Sequence, residues 1–272
     1  MNNIVICPIC HAPFCQSEDG RSLFCLGEKR HCFDRSASGY VNLAGNRKST
    51  GDSREAARAR VNFLSKGYYA PVMEALRDTA RREIGRGLMV DAGCGTGYYT
   101  NRLSSDPALE VLGFDLSKHA VDAAAKEARA MGLSHVTYAV CGIYDMPLAD
   151  GTVDGVLSMF APCATEEFCR VLKADGVLIV AGAGEDHLFE LKQAVYDTAY
   201  KNDARADLPS HMRLTSREKV TYRAHIDSPE DVRQLFSMTP YAYRTSAQGW
   251  DRLSRLDSLN VCVDVDILVY RR

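Results

Sequence analysis

The sequence predicts an α/β fold with a doubly wound, mostly parallel sheet and a small metal-binding module at its N terminus. From about residue 69, strand-like and helix-like segments alternate in the βαβ order that builds parallel sheets. Five of the ten cysteines lie within the first 32 residues, a segment too short to fold on a hydrophobic core alone. The 272 residues are 46% hydrophobic and 25% charged, which excludes a disordered or collagen-like chain.

The N-terminal module opens with two cysteines at the spacing of a zinc knuckle. Cys7 and Cys10 are separated by two residues, so both thiols can reach one tetrahedral metal ion. Cys25 follows, and either His31 or Cys32 could complete the ligand set. The sequence predicts a structural zinc site, in which the metal supplies folding free energy rather than chemistry.

Two short strands, Ala12–Gln16 and Leu23–Leu26, should connect the halves of this site in the manner of a zinc ribbon. His11 and Cys15 are expected to be bystanders. A redox-active cysteine pair or unligated buried thiols are the alternatives. Several ligands at metal-site spacing in one short segment favour zinc.

Charge is unevenly distributed along the chain. The overall net charge of −2 argues against a dedicated nucleic-acid binder. Residues 1–70, however, carry ten Lys/Arg against six Asp/Glu, a net charge of +4, and the remaining residues carry −6. A basic N-terminal part on an acidic body suggests that this part meets a polyanion. A chance asymmetry of solvated surface is the alternative.

A basic helix is predicted between the module and the body. Gly39–Leu43 and Gly45–Ser53 are expected to form an exit loop, whose last residue can cap a helix running to about Ser65. Arg54 and Arg58 are four residues apart and therefore share one face of this helix. The predicted organisation is a zinc-binding module for recognition of the polyanion over 1–45, a linker with the basic helix over 46–70, and a body over 71–272.

The body should contain five buried strands with helices between them, near residues 87–91, 109–115, 134–140, 153–159 and 176–182. A last strand, at about 260–270, alternates valine or isoleucine with mostly polar residues. This alternation predicts a half-exposed antiparallel strand at the edge of the sheet.

A glycine-rich loop follows the first of the buried strands. After Asp91, glycines at Gly93, Gly95 and Gly97 let the backbone approach a ligand where any Cβ would intrude. Asp115 ends the second strand, where a carboxylate can hydrogen-bond both hydroxyls of a ribose. The spacing is GxGxG rather than the dinucleotide GxGxxG, and a structural glycine turn is the alternative. Together these residues predict a nucleoside-cofactor site.

The glycine loop and its flanking acids resemble the class I S-adenosylmethionine (SAM) methyltransferases. Motifs along nearly the whole chain are similar to those of the RlmA family within that class, bacterial 23S rRNA (guanine-N1)-methyltransferases that include macrolide-resistance members. These motifs are the cysteine and histidine spacing of the module, Phe33-Asp34, Gly39–Leu43, Gly51–Ser53, Phe63–Pro71, Gly93–Thr100, Phe160–Cys163 and Met238–Pro240. The resemblance implies a Rossmann-like, mostly parallel, seven-stranded sheet.

The resemblance also implies cofactors, partners and site residues. It implies that zinc is held by Cys7, Cys10, Cys25 and His31. It implies that SAM is contacted by Tyr69, Thr96, Gly97, Asp115 and His187. The interval from Cys25 to His31 is two residues longer than expected for the family, which keeps Cys32 as the alternative fourth ligand. A 23S rRNA hairpin is the implied partner, a homodimer the implied assembly, and macrolide resistance an associated phenotype. By pattern alone, Tyr69 would be a core aromatic and His187 a surface residue.

In such enzymes the adenine lies after the third strand, here Cys141–Tyr144, and the methyl acceptor lies at the end of the fourth, here Met159–Cys163. The fourth-strand segment lacks an Asn-Pro-Pro-Tyr signature, which disfavours transfer to an exocyclic amine, and Phe160 could stack on a base. A base should remove the N1 proton of guanine. The candidates Tyr98, Tyr99, Tyr144 and Asp145 do not identify themselves as that base, so the catalytic residue stays unassigned.

Two other functions fit parts of the sequence. A small-molecule methyltransferase would need only the body and would leave the zinc module without a role. A non-catalytic RNA-binding or assembly protein would not need an intact glycine loop with Asp115. Neither a secretory signal nor a run of 18 apolar residues is found, so we expect a cytoplasmic protein that does not contact the membrane.

Overall fold

The N-terminal module is a small antiparallel sheet joined to the body by a further strand. The structure, a computed structural model, describes residues 4–45, 51–203, 209 and 212–272. Strands β1 (Phe14–Gln16) and β2 (Ser22–Cys25) confirm the predicted pair, and β3 (Cys32–Asp34) adds a third that was not predicted. Strand β4 (Val41–Asn42) lies where an exit loop was predicted, so that prediction is wrong there. Residues 46–50 of the same predicted loop lie outside the described residues.

The body alternates strands and helices as predicted. Its helices are α1 (Arg54–Ser65), α2 (Ala70–Glu83), α3 (Tyr98–Leu103), α4 (Lys118–Ala130), α5 (Thr165–Val171), α6 (Phe189–Val195), α7 (Pro229–Ser237) and α8 (Ala247–Ser254), with a 3₁₀ turn at Pro240–Tyr243. Its strands are β5 (Gly87–Ala92), β6 (Leu109–Asp115), β7 (Val136–Val140), β8 (Val153–Met159), β9 (Leu172–Ala183), β10 (Arg213–Ile226) and β11 (Leu259–Arg271). Helix α1 is capped as predicted, because the Ser53 hydroxyl accepts the Ala56 N–H at 3.2 Å.

One sheet contains the seven body strands and β4, in the order β10-β11-β9-β8-β5-β6-β7-β4. The strands from β9 to β4 run parallel, β11 runs antiparallel to them, and β10 pairs antiparallel with β11. The seven-stranded, mostly parallel sheet is therefore confirmed, and β4 extends it by an eighth strand from the module. The strand order reverses between β5 and its neighbours β6 and β8, which is where ligands bind in doubly wound sheets.

The last strand differs from its prediction. It is antiparallel, as predicted, but it lies between β9 and β10 instead of at the edge, and it is mostly buried. Two of its polar residues are aspartates that form ion pairs. Asp264 pairs with Lys219, and Asp266 pairs with Arg217. Both cations lie on β10, the true edge strand. Charged residues in an edge strand disfavour pairing with other chains.

Apolar residues fill both faces of the sheet. Successive side chains of a strand point to opposite faces, and accordingly Met89 joins one buried cluster while Leu88 and Val90 join the other. The second cluster includes Val5 and Leu23 of the module. The module thus packs on the body through a shared apolar core. The predicted domain limits at residues 45 and 70 stay a prediction.

None of the described helices is both long enough and apolar enough to cross a membrane.

Candidate active site

A cavity of about 430 Å³ opens at the carboxyl ends of β5, β6 and β8, the point where the strand order reverses. Five parts of the chain surround it: α1 with the residues before it, the glycine loop, the end of β6, the segment after β7 and the segment after β8. The lining residues are Gly51, Asp52, Arg60, Leu64, Asp91, Gly93, Cys94, Gly95, Thr96, Tyr98, Tyr99, Asp115, Leu116, Ile143, Tyr144, Met159, Phe160, Ala161 and Pro162.

The glycine loop has the close approach that the sequence predicted. Gly93 and Gly95 have φ of +88° and +51°, a region that side chains rarely adopt. A Cβ at Gly93 would also lie 2.6 Å from the Ala161 Cβ across the cavity. The backbone N–H of Gly95 donates to Asp115 Oδ2 at 3.0 Å, so the loop is tied to the end of β6. Position 93 therefore requires glycine.

Asp91 is buried beneath the loop and has a carboxylate oxygen that no described residue binds. Its Oδ2 accepts the Thr100 hydroxyl at 2.5 Å, whereas its Oδ1 is buried without a hydrogen-bond partner. Burial raises the pKa of Asp91 to about 7, and repulsion from Asp115 adds to this shift. Buried carboxylate oxygens in proteins normally have partners. The free oxygen at the cavity wall therefore fits a ligand that brings a cationic N–H group.

Asp115 is held firmly at the end of β6. Its Oδ1 accepts the Ser117 N–H at 2.7 Å, in addition to the bond from Gly95 to Oδ2. Burial raises the pKa of Asp115, and these two backbone donors oppose the shift. Each carboxylate oxygen keeps a further lone pair for a ligand. This arrangement fits a pair of ribose hydroxyls.

One wall of the cavity was not predicted from the sequence. Asp52 and Arg60 line it, and the Ser117 hydroxyl donates to the Asp52 carbonyl at 2.6 Å. The glycine at position 51 is the sequence feature that reflects this contact, because a Cβ there would lie 2.7 Å from the Ser117 Cβ. The residues just before α1 therefore pack closely on the turn that follows Asp115.

Tyr69 and His187 are brought together, although neither lines the cavity. The Tyr69 hydroxyl lies 3.1 Å from His187 Nε2, and the Asp264 N–H donates to His187 Nδ1 at 3.2 Å. Burial lowers the pKa of His187 to about 4, so the imidazole is neutral at physiological pH. With Nδ1 as acceptor, Nε2 carries the proton and donates to the Tyr69 oxygen. The pair lies behind Phe160, whose ring centroid is 5.4 Å from that of His187 and 6.3 Å from that of Tyr69.

The acceptor side of the cavity is aromatic. Phe160 is 43% exposed and Tyr144 is 68% exposed, and both line the cavity. Phe160 has φ of +50°, which is strained for a non-glycine residue. Such strained conformations cluster at functional sites. Burial raises the pKa of Tyr98 and of Tyr99, which keeps both phenols protonated, so that neither is ready to accept the proton of guanine N1. Asp145 does not line the cavity.

A second group of chemistry-bearing side chains lies in the module. Cys7, Cys10, Cys25 and His31 place their ligand atoms within 4.8 Å of one another. The Cys10 and Cys25 sulfurs are 3.6 Å apart, and His31 Nδ1 is 3.3 Å from the Cys25 sulfur. A tetrahedral zinc site with Zn–S bonds of about 2.3 Å has sulfur atoms about 3.8 Å apart. Cys32 is exposed, and its sulfur contacts Asp34 instead.

Backbone amides surround this cluster. The His31 N–H donates to the Cys25 sulfur at 3.1 Å, and amides of Ile9 and Cys10 bind the Cys7 sulfur. A Cβ at Gly27 would lie 2.9 Å from the Cys10 sulfur. Donors to the sulfurs stabilise thiolates and orient ligands. The donor set and its spacing therefore fit zinc.

The fold and these two sites define a SAM-dependent methyltransferase that carries a zinc ribbon. A family model of a methyltransferase domain matches residues 87–239, and a model of the RlmA N-terminal zinc ribbon matches residues 5–48. The chain belongs to the RlmA family.

Relatives match along nearly the whole chain. A protein of Streptomyces fradiae named 23S rRNA (guanine(748)-N(1))-methyltransferase is 38% identical, over 92% of this chain and 88% of its own. YxjB of Bacillus subtilis is 30% identical, over 97% of this chain and 95% of its own. The YcgJ structure from Bacillus subtilis has the same fold, with a TM-score of 0.53 and 15% identity, over 74% of this chain and 97% of its own.

We expect the affinity for S-adenosylhomocysteine to rise about tenfold between pH 5.5 and 7.5. Over this range the Asp91 carboxyl, with its pKa near 7, loses its proton and gains the negative charge that would attract the ammonium group of the ligand. The amino group itself titrates only at about pH 8. Calorimetric titration at several pH values measures the change. Asp91→Asn should bind more weakly and with a flatter pH profile. An unchanged slope in this variant would contradict the assignment.

Proposed function

We propose that this protein transfers a methyl group from SAM to N1 of a guanine in a hairpin loop of 23S rRNA. One observation carries the proposal: a SAM-type cavity and a zinc ribbon share one chain that aligns over most of its length with an rRNA guanine-N1 methyltransferase. A small-molecule methyltransferase has no need of the module. The proposed site of action is the cytoplasm, where ribosomal RNA is found.

The cofactor is held by the residues predicted for it. The Asp91 carboxylate would bind the ammonium of SAM, the backbone of the glycine loop would contact its methionine and ribose parts, and Asp115 would bind the ribose hydroxyls. The proposed set is Tyr69, Asp91, Gly93, Gly95, Thr96, Gly97, Asp115 and His187. Tyr69 and His187 act from behind Phe160, where their hydrogen bond supports the ring that faces the cavity. When bound, SAM supplies an electrophilic methyl group on a sulfonium.

The chain's own residues position the acceptor for in-line attack. Guanine N1 is on the base-pairing edge, so the base must leave any stack before it can enter the cavity. Phe160 and Tyr144 offer exposed aromatic faces at the cavity for an unstacked base. Holding N1 in line with the methyl group supplies catalysis by orientation.

The zinc ribbon and α1 bind the RNA. Cys7, Cys10, Cys25 and His31 hold the zinc that folds the ribbon, which packs on the same apolar cluster as β5. Arg54 is exposed on α1, the helix whose later residues line the cavity. A phosphate bound there would lie beside the cavity. We expect a homodimer, which light scattering of the purified protein measures.

The test is transfer of labelled methyl groups to unmodified 23S rRNA, with the product mapped. N1-methylguanine cannot form a Watson–Crick pair, so reverse transcriptase stops one nucleotide before it. We expect label in the RNA and one strong stop in a hairpin loop. Asp115→Ala should remove both signals. Label without such a stop, or label only in small molecules, would overturn the proposal.

A further inference from the structure

Arg60 is the only cation among the described residues that line the cavity. It lies in the second turn of α1, with about a quarter of its side chain exposed. The other charged lining residues are Asp52, Asp91 and Asp115. A ligand with an anionic group would therefore find one complementary charge in this part of the chain.

The Arg60 guanidinium is held in place by hydrogen bonds but keeps N–H donors that bind no described residue. Its Nε–H donates to Asp52 Oδ2 at 2.9 Å, and its Nη2 donates to the Met238 carbonyl at 3.3 Å. Its Nη1 donates to no described residue. Arginine carries five N–H donors in a planar fork that suits carboxylates. The side chain is thus fixed at one end and retains donors at the other.

Arg60 also lies next to the glycine loop. A Cβ on Gly95 would be 4.0 Å from Arg60 Cδ. In the proposed function the methionine part of SAM would contact this loop, and its ammonium would find a partner in the free oxygen of Asp91. The carboxylate of the same amino-acid group needs a cation in the same region. Asp52 cannot serve, because it is itself an acid paired with Arg60.

We propose that Arg60 binds the carboxylate of the methionine group of SAM, and that Asp52 is the positioning residue that fixes the guanidinium. The inference deepens the proposed function by assigning the part of the cofactor site that recognises the amino-acid end of the donor. It explains why an arginine is oriented into a cavity whose other charges are negative.

The test compares two ligands that differ only in the carboxylate: S-adenosylhomocysteine and its decarboxylated analogue, which keeps the amine. Calorimetry without RNA measures both affinities, so the result is independent of the RNA substrate. Arg60→Met should lower the affinity for S-adenosylhomocysteine about 10- to 100-fold. It should change the affinity for the decarboxylated analogue less than about twofold. Arg60→Lys should fall between Arg60→Met and the parent protein, because it keeps charge but loses the fork.

Matched variants separate binding from support of the wall. Arg86→Met removes an exposed arginine that does not line the cavity, and it should change neither affinity. Asp52→Asn should weaken S-adenosylhomocysteine to a smaller extent than Arg60→Met. Equal losses for both ligands in Arg60→Met would overturn the proposal, as would an unchanged affinity for S-adenosylhomocysteine. The unchanged affinity for the analogue is itself the control for folding.

Discussion

Cys7→Ser should reduce the zinc content of the purified protein from about one ion per chain to none and unfold the module. The four ligands are contributed by three separate segments that the metal joins. Binding of zinc by such sites is worth about 10–16 kcal/mol, more than a segment of this size gains from its own core. Elemental analysis measures the metal, and proteolysis measures the loss of structure over roughly the first 40 residues.

Cys32→Ser is the matched control for this prediction. Cys32 is an exposed cysteine one residue beyond His31, outside the group of four. We expect it to keep its zinc and to resist proteolysis like the parent protein. If Cys32→Ser lost the metal and His31→Ala kept it, the fourth ligand would be Cys32. Zinc-free parent protein would refute the site altogether.

Loss of the module should also lower the thermal stability of the body. Val5 and Leu23 are 2% and 1% exposed, within the cluster that contains β5 residues. Strand β4 adds a parallel pair of residues to β7. Removing these contacts exposes apolar surface, and each Å² exposed lowers the free energy of unfolding by about 25 cal/mol. The zinc site therefore supports the sheet edge as well as the ribbon.

The central fold could be predicted from the sequence because its strands are buried on both faces. Segments such as β5 and β8 are apolar runs bounded by glycine or polar turns, and that pattern depends on local sequence alone. Strand β10 was missed because its sequence is rich in charges. Those charges pair with aspartates of β11, about 45 residues further along the chain. Partners at that distance cannot be read from one segment.

The candidate site likewise has residues that the sequence predicts and residues that it does not. The glycine loop and Asp115 are visible in the sequence because backbone conformation and strand ends dictate their residue types. Asp52 and Arg60 gave no comparable signal, since their role follows from the packing of α1 on the turn after β6. His187 depends on a buried contact with Tyr69, 118 residues away. Only the resemblance to the family pointed to that pair.

Reversing two charges on α1, by Arg54→Glu with Arg58→Glu, should weaken binding of the rRNA hairpin by more than about 100-fold at 0.1 M salt. Both side chains are exposed and lie one turn apart on a helix that also forms a wall of the cavity. Phosphate contacts release counterions, so the slope of log affinity against log salt should fall by about 1.5. Filter binding over a range of salt concentrations measures both quantities.

The matched control reverses another pair of arginines at the opposite end of the sheet. Arg82 and Arg86 are exposed, have the same four-residue spacing, and lie just before the start of β5, whereas the cavity lies at its other end. Arg82→Glu with Arg86→Glu changes the net charge by the same amount as the α1 variant. Because these arginines lie away from the cavity, the change should lower RNA affinity only slightly and leave the salt slope unchanged. Both double variants should bind S-adenosylhomocysteine as the parent does. Equal loss of RNA affinity in the two would mean that total charge, rather than the α1 face, attracts the RNA. A normal affinity in the Arg54 and Arg58 variant would place the RNA elsewhere on the protein.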